Sequence, residues 1–226
     1  MNVVIAVQRH VNVKKILSEN ILSPIVENIL DVGCGEGFFL IRLSVECDPS
    51  SLYGIDISRF EVENAAINCP SANLICSCAE NLPFKNETFQ NIVCSEVLEH
   101  VINPRKTLRE IARVLRINGK VGISTPNPSS LFMKFYHRFY SEKKKVEHAC
   151  KDEPMDIHNL ISVLPSNLGV HRKVFTNPFP LLPSEGIFKS KFLAKLIIKL
   201  SSPLQKIPML NSKVCDHYVI IAKRNN

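Results

Sequence analysis

The sequence predicts an α/β fold, a doubly wound and mostly parallel seven-stranded sheet with an antiparallel edge and helices on both faces. Three observations predict it. Short apolar runs alternate with segments of helical period over residues 28–127. The first of these runs turns into a helix through Gly33, Gly35 and Gly37, a strand, glycine turn and helix start in succession. The second run ends on an acid, Asp56. In a doubly wound sheet that carboxylate stands beyond the strand ends, where ligands bind.

Each element has a local reason. Residues 10–27 place Val11, Ile16, Leu17, Ile21 and Leu22 on one helical face, and Pro24 ends the pattern. Ile29, Leu30 and Val32 form a buried strand broken only by Asp31. A helix follows over 37–46, and its first turn offers unpaired N–H groups. The spacing is G-x-G-x-G, and Phe38 stands where the dinucleotide fingerprint needs its third glycine. Residues 52–58 read as the second strand and 59–68 as a helix. Ser58 can cap that helix, which frees Asp56 for a ligand. Residues 73–76 give the third strand, 77–84 a loop, and 89–94 the fourth strand. Pro104 opens a helix through Leu108, Ile111, Ala112 and Leu115, which Asn118-Gly119 is expected to stop. Residues 120–125 make the fifth strand. A further helix spans 156–164, where His158 is expected to face the cleft, and 170–176 and 218–222 supply strands six and seven.

Bulk properties narrow the class. A chain of 226 residues, 45% of them hydrophobic, can bury one full core. No apolar run approaches the ~20 residues of a membrane span. The run at residues 3–7 is too short for a signal core, so the expected location is the cytoplasm, with association to a membrane surface as the variant. The eight cysteines form no C-x-x-C pair, which excludes zinc-finger spacing and suits reduced thiols. Charge is uneven. Residues 1–100 hold 6 Lys/Arg against 13 Asp/Glu, and the rest hold 22 against 8. The second half therefore presents basic surface suited to an anionic substrate, an acidic membrane or nucleic acid.

The ordered motifs resemble a known family. Ile-Leu-Asp-Val-Gly-Cys-Gly-Glu-Gly at 29–37, Tyr-Gly-Ile-Asp-Ile-Ser at 53–58, Ala-Glu-Asn-Leu-Pro-Phe at 79–84, Ser-Glu-Val-Leu-Glu-His-Val at 95–101 and Arg-Val-Leu-Arg-Ile-Asn-Gly-Lys at 113–120 occur in sequence. Together they resemble the class I S-adenosylmethionine-dependent methyltransferases, of the type 11 group that includes quinone-biosynthesis enzymes. The resemblance implies a Rossmann-like methyltransferase fold and S-adenosyl-L-methionine as cofactor. It implies backbone contacts from Gly33, Cys34 and Gly35, a role for Asp31 in orienting the turn or holding the cofactor's amino group through water, and ribose binding by Asp56 with Ile57 beside it. Ala79 and Glu80 would lie along the adenine and Ser95 near the methionyl end. Cys78 departs from the pattern: the family often has Asp there, and a thiol is a poor acceptor.

For methyl transfer the candidates are His100, Glu96 and Glu99. If 96–101 is one helical turn, the three share a face. His100 alone can act as base. Alternatively the trio can hold a divalent metal, as some quinone-pathway relatives do, or can simply cap and solvate the turn. Such chemistry fits transfer to a small, apolar or lipid-like acceptor at oxygen. Methylation of RNA or protein, or a non-catalytic cofactor-binding partner subunit, are the alternatives.

The chain reads as one domain over 1–226, with 28–127 as the cofactor-binding core and 128–170 and 187–210 as acceptor-side insertions. Phe132, Phe135, Tyr136, Phe139 and Tyr140 interleave with Lys134, Arg138 and Lys143-Lys144-Lys145, a pattern that suits packing on the sheet, a lid, or nucleic acid stacking. In 187–210, Lys191, Lys195 and Lys199 form one stripe opposite Phe192, Leu193, Leu196, Ile197 and Leu200. A basic amphipathic helix of this kind suits an anionic membrane, an inserted lid helix or a homodimer contact.

Overall fold

Seven strands build one sheet in the order β3-β2-β1-β4-β5-β7-β6. The computed structural model describes residues 15, 17–20, 28–130, 155–176, 215 and 217–226. The strands are β1 Ile29–Val32, β2 Leu52–Asp56, β3 Asn73–Cys76, β4 Phe89–Ser95, β5 Leu115–Pro126, β6 Leu168–Thr176 and β7 His217–Arg224. Among the described residues, α1 is Phe38–Leu43, α2 Arg59–Asn68, α3 Pro104–Val114 and α4 Ile157–Val163. β1 to β5 pair in parallel, whereas β7 runs antiparallel to both β5 and β6. The chain order reverses at β1, between β2 and β4, and opens a crevice at the strands' carboxyl ends.

Alternation along the strands sorts the core into two layers. Leu30 and Val32 of β1, Ile92 and Cys94 of β4, and Tyr218 and Ile220 of β7 face one layer with Leu108 and Ile111 of α3 and Leu160 of α4. Ile29, Val93, Val219 and Ile221 face the other, with Phe39, Leu40 and Leu43 of α1 and Leu17. Each such side chain, once fully buried, contributes about 1.5–3 kcal/mol. Within the expected helix at 10–27, Lys15 and residues 17–20 are helical. The rest of that helix lies outside the described residues, as do the aromatic–basic stretch at 132–145 and the segment 187–210.

Two expectations are corrected. Asn118-Gly119 does not stop α3. That helix ends at Val114 because Leu115 already takes extended backbone and enters β5. Asn118 instead sits at φ 65 inside β5. Here the register against β4 jumps from Phe89↔Leu115 to Asn91↔Lys120, which leaves extra β5 residues bulged out. Gly119 is needed there for room, since a Cβ would lie 2.7 Å from the Gln90 carbonyl oxygen. Residues 96–101 form no helical turn. Glu96 takes left-handed backbone at φ 57, and a non-helical turn follows over 98–100.

Candidate functional site

A cleft of about 320 Å³ opens at the crevice. Four segments line it, each leaving a parallel strand at its carboxyl end. Gly33 follows β1, Asp56 and Ile57 close β2, Ser77, Cys78, Ala79 and Glu80 follow β3, and Glu96, Val97, His100, Val101 and Ile102 follow β4.

The glycine turn is shaped by two contacts. Gly33 takes φ 72, and a Cβ there would stand 2.3 Å from Val97 Cγ2. Only glycine gives both the dihedral and the clearance. The turn's amides face β2: the N–H groups of Gly33 and Cys34 both donate to the Ile55 carbonyl, at 2.8 and 2.9 Å. The Gly35 N–H donates to Asp56 Oδ2 at 3.0 Å.

Asp56 is therefore fixed before any ligand arrives. Its Oδ1 accepts from the Ser58 N–H at 2.9 Å, while the Ser58 hydroxyl accepts from the Glu61 N–H and caps α2. A carboxylate has about four lone-pair sites, so two backbone donors leave capacity for two hydroxyls of a ribose.

The loop after β3 is clamped from below. Arg113 of α3 donates to the carbonyls of Leu82 and Phe84 at 3.0 and 2.7 Å. It also donates to both carboxylate oxygens of Glu110, whose Oε2 in turn accepts from the Leu82 N–H at 2.9 Å. Phe84 packs edge-on against Tyr53 and Phe89, with centroids 6.1 and 4.8 Å apart. In the cleft wall the Cys78 thiol donates to Glu80 Oε2 at 3.3 Å, and Glu80 Oε1 accepts from the Asn103 N–H at 2.6 Å. Glu80 thus ties the loop to the start of α3.

The far wall carries a polar network. Glu96 Oε1 accepts from the Ser124 hydroxyl at 2.8 Å, and Oε2 meets His217 Nε2 at 2.9 Å. Ser124 also shares a hydrogen bond with Ser95 at 2.8 Å. Glu99, three residues beyond Glu96, is buried, 4% exposed. Burial, and then the charge of Glu96, push its carboxyl up to about 8. Burial and then Asp31 push the Cys34 thiol well above its ordinary range, which leaves it neutral and unreactive.

Of the residues singled out in the sequence, Gly33, Asp56, Ile57, Cys78, Ala79, Glu80, Glu96 and His100 come together around the cleft. Asp31 and Cys34 are buried and, with Gly35, Ser95 and Glu99, do not line it. His158 is exposed on α4 and lies outside the lining residues. Glu96, Glu99 and His100 do not converge as a metal trio. Glu96 turns to Ser124 and His217, and among the described residues no group of three His, Cys, Asp or Glu is placed to hold a metal ion. Sequence reasoning missed Ile55, Ser77, Val97, Val101 and Ile102 in the lining, and missed Ser124 and His217 beside Glu96. The valines and Ile102 follow directly on the fourth strand and were readable as cleft wall. Nothing local marks His217, which is 121 positions from its partner.

Residues 30–123 match the family described as Methyltransferase domain. An uncharacterised protein of Methanocaldococcus jannaschii is 30% identical over 183 residues, covering 79% of this chain and 69% of that protein. An O-methyltransferase of Aspergillus nomiae is 30% identical over 136 residues, covering 54% of this chain, and the chain spans 60% of that relative's length. Among solved structures, the N-methyltransferase NodS of Bradyrhizobium japonicum, in complex with S-adenosyl-L-homocysteine, aligns with TM-score 0.62 at 14% identity. That alignment covers 98% of this chain and 88% of the other and speaks to the fold.

Proposed function

Because this chain belongs to the methyltransferase domain family, with S-adenosylmethionine as methyl donor, we propose that it methylates a small, apolar or lipid-like acceptor at oxygen. One observation carries this reading. Beyond Gly33 the cleft continues to a wall that sets the apolar Val97, Val101 and Ile102 beside the polar Glu96 and His100. Such a wall suits a greasy molecule with one reacting hydroxyl.

The bound donor supplies an electrophilic methyl on a sulfonium. The protein supplies position and a proton acceptor. Asp56 accepts from the ribose hydroxyls. Ala79, Glu80 and Cys78 flank the adenine, and Ile57 covers the rim. Gly33 lets the methionyl part approach bare backbone, with Val97 packed over it. His100, exposed on the acceptor wall, takes the hydroxyl proton as the oxygen attacks. Glu96 and Glu99 shape the charge around it. Residues 128–170 and 187–210 are assigned to the acceptor side as insertions of the same domain.

The lysines spaced at 191, 195 and 199 support peripheral contact with an anionic membrane, and a homodimer contact is the other use of that segment. Among the described residues no helix is long and apolar enough to cross a membrane. Failure to bind anionic vesicles at low salt would remove the membrane contact.

A transfer assay with methyl-labelled donor, run across lipid, small-phenol, RNA and protein fractions, tests the acceptor. Label in the lipid or phenol fraction is the expected result. Label confined to RNA or protein would overturn the small-molecule reading, and no label anywhere would favour a donor-binding partner subunit. Full turnover by His100→Ala would remove His100 as the base.

A further inference from the structure

The wall that follows β3 carries two thiols one residue apart. Cys76 ends β3 and Cys78 lines the cleft, with Ser77 between them. Cys76 is exposed and Cys78 half-buried, whereas Cys34, Cys69, Cys94 and Cys215 are buried. Cys47 lies past the C-terminal end of α1, away from the cleft end of the sheet. Among the described cysteines, Cys76 and Cys78 are therefore the two neighbours open to a reagent in solution.

The backbone puts the pair within bonding reach. Residues 77 and 78 are neither helix nor turn. An extended chain rises about 6.6 Å over two residues, and disulfides span Cα separations of about 4.4–6.8 Å. Side chains two apart on such a chain leave on the same side. Cys76 is the register partner of Asp56, and its Sγ donates to the Ile57 carbonyl at 3.6 Å. Cys78 Sγ donates to Glu80 Oε2 at 3.3 Å. Thiols are weak donors, so neither bond holds its sulfur firmly. A ring closed over one intervening residue is strained, and strained or exposed disulfides are the readily reduced, regulatory kind.

Closing that ring acts on the cleft. A bridged Cys78 has no S–H left to donate to Glu80. Ser77 sits inside the ring, and its N–H donates to the Asp56 carbonyl at 2.9 Å. The bridge thus bears on Glu80 and Asp56, both assigned above to the nucleoside half of the donor.

We propose that Cys76 and Cys78 are a modification site, closed to a disulfide by exchange with a low-molecular-weight disulfide, and that closure weakens donor binding. The second part rests on the donor-binding reading above. The Cys76 thiolate, the more exposed, attacks one sulfur of the reagent, whose S–S bond breaks and releases one thiolate. The Cys78 thiolate then attacks the Cys76 sulfur of the mixed disulfide, forms the protein bridge and releases the second thiolate. The two cysteine protons end on the two released thiols, and two electrons pass from the protein to the reagent.

The full chain, reduced and then equilibrated in glutathione buffers of rising disulfide fraction, tests the site after alkylation of the remaining thiols. Peptide mass mapping is expected to show a bridge between Cys76 and Cys78, lighter by two hydrogens. A persisting mixed disulfide, or a bridge from either cysteine to another, would overturn the site. Calorimetry then compares S-adenosylmethionine binding by the reduced and bridged chains, with a loss of at least about tenfold expected on bridging. By linkage, saturating donor should raise the reduction potential of the pair by about 30 mV for each tenfold lost. Reduced Cys76→Ser, changed outside the cleft lining, should form no bridge and bind donor as reduced wild type does. Binding as weak as that of the bridged chain would assign the loss to the missing thiol and overturn the closure effect. Equal donor affinity in the reduced and bridged chains would overturn it too. A reduced wild type that binds no donor sinks the donor reading, while mass mapping still decides the bridge.

Discussion

The Gly35 N–H and the Asp56 carboxylate meet at 3.0 Å across 21 residues of chain. This bond links the glycine turn of β1 to the acid ending β2, so the residue proposed to bind the ribose also holds the turn. Asp56→Ala should therefore show two effects. Donor affinity should fall by at least about tenfold, as charge-assisted bonds to two hydroxyls are lost. Stability should fall by about 1–2 kcal/mol, because the Gly35 and Ser58 amides lose their acceptor. Calorimetry and urea denaturation measure the two separately, and loss of affinity with no change in stability would break the link.

Gly33 and Val97 form the second such pair. Gly33→Ala places a methyl 2.3 Å from Val97 Cγ2 on a residue already at φ 72. The variant should lose about 1–3 kcal/mol and lose donor binding. Adding Val97→Ala should relieve the clash and leave only the cost of the left-handed backbone. A double variant no more stable than Gly33→Ala would show that the dihedral, not the contact, dominates.

What the sequence disclosed follows from how far apart the interacting residues are. β1, its glycine turn and Asp56 were legible because strand period, turn chemistry and capping act over a few residues, as at Ser58. The Asn118-Gly119 pair was misread because the bulge is imposed by pairing with β4, and an Asn-Gly dipeptide signals a helix stop equally well. The Glu96–His100 spacing suggested a shared helical face, yet the left-handed Glu96 breaks that period. The Glu96–His217 contact was beyond reach, since it depends on β7 inserting beside β5.

Glu99 should make stability depend on pH. Its carboxyl is raised to about 8, by burial first and by Glu96 second. A raised acid binds its proton more tightly in the folded state. Its contribution is complete below the unfolded value near 4.5 and is lost as pH rises toward about 8. The groups that act on it are Glu96, which raises it, and Thr125 and His217, which lower it. Glu99→Gln should flatten the slope between pH 5 and pH 9 and should exceed wild type in stability at the alkaline end, by a margin on the order of a few kcal/mol. Urea denaturation across that range measures it, and parallel pH profiles would show that Glu99 ionises freely in the folded chain.

Arg113 gives the last prediction, because it separates a structural clamp from a binding residue. It touches none of the cleft-lining residues in the bonds described, yet it fixes the carbonyls of Leu82 and Phe84 just beyond Glu80. Glu110 completes the clamp through the Leu82 N–H and is itself held below the usual carboxylate range, chiefly by Arg113. Arg113→Lys keeps the charge but loses the planar fork that reaches several acceptors at once. The variant should lose about 1–3 kcal/mol, the cost of unmet polar groups beneath the loop. Amide exchange should then quicken at residues 80–86 before the rest of the sheet opens. Donor affinity should weaken by a few-fold, because the loop proposed to flank the adenine loosens. Unchanged exchange at residues 80–86 in the variant would show that Arg113 does not hold this loop.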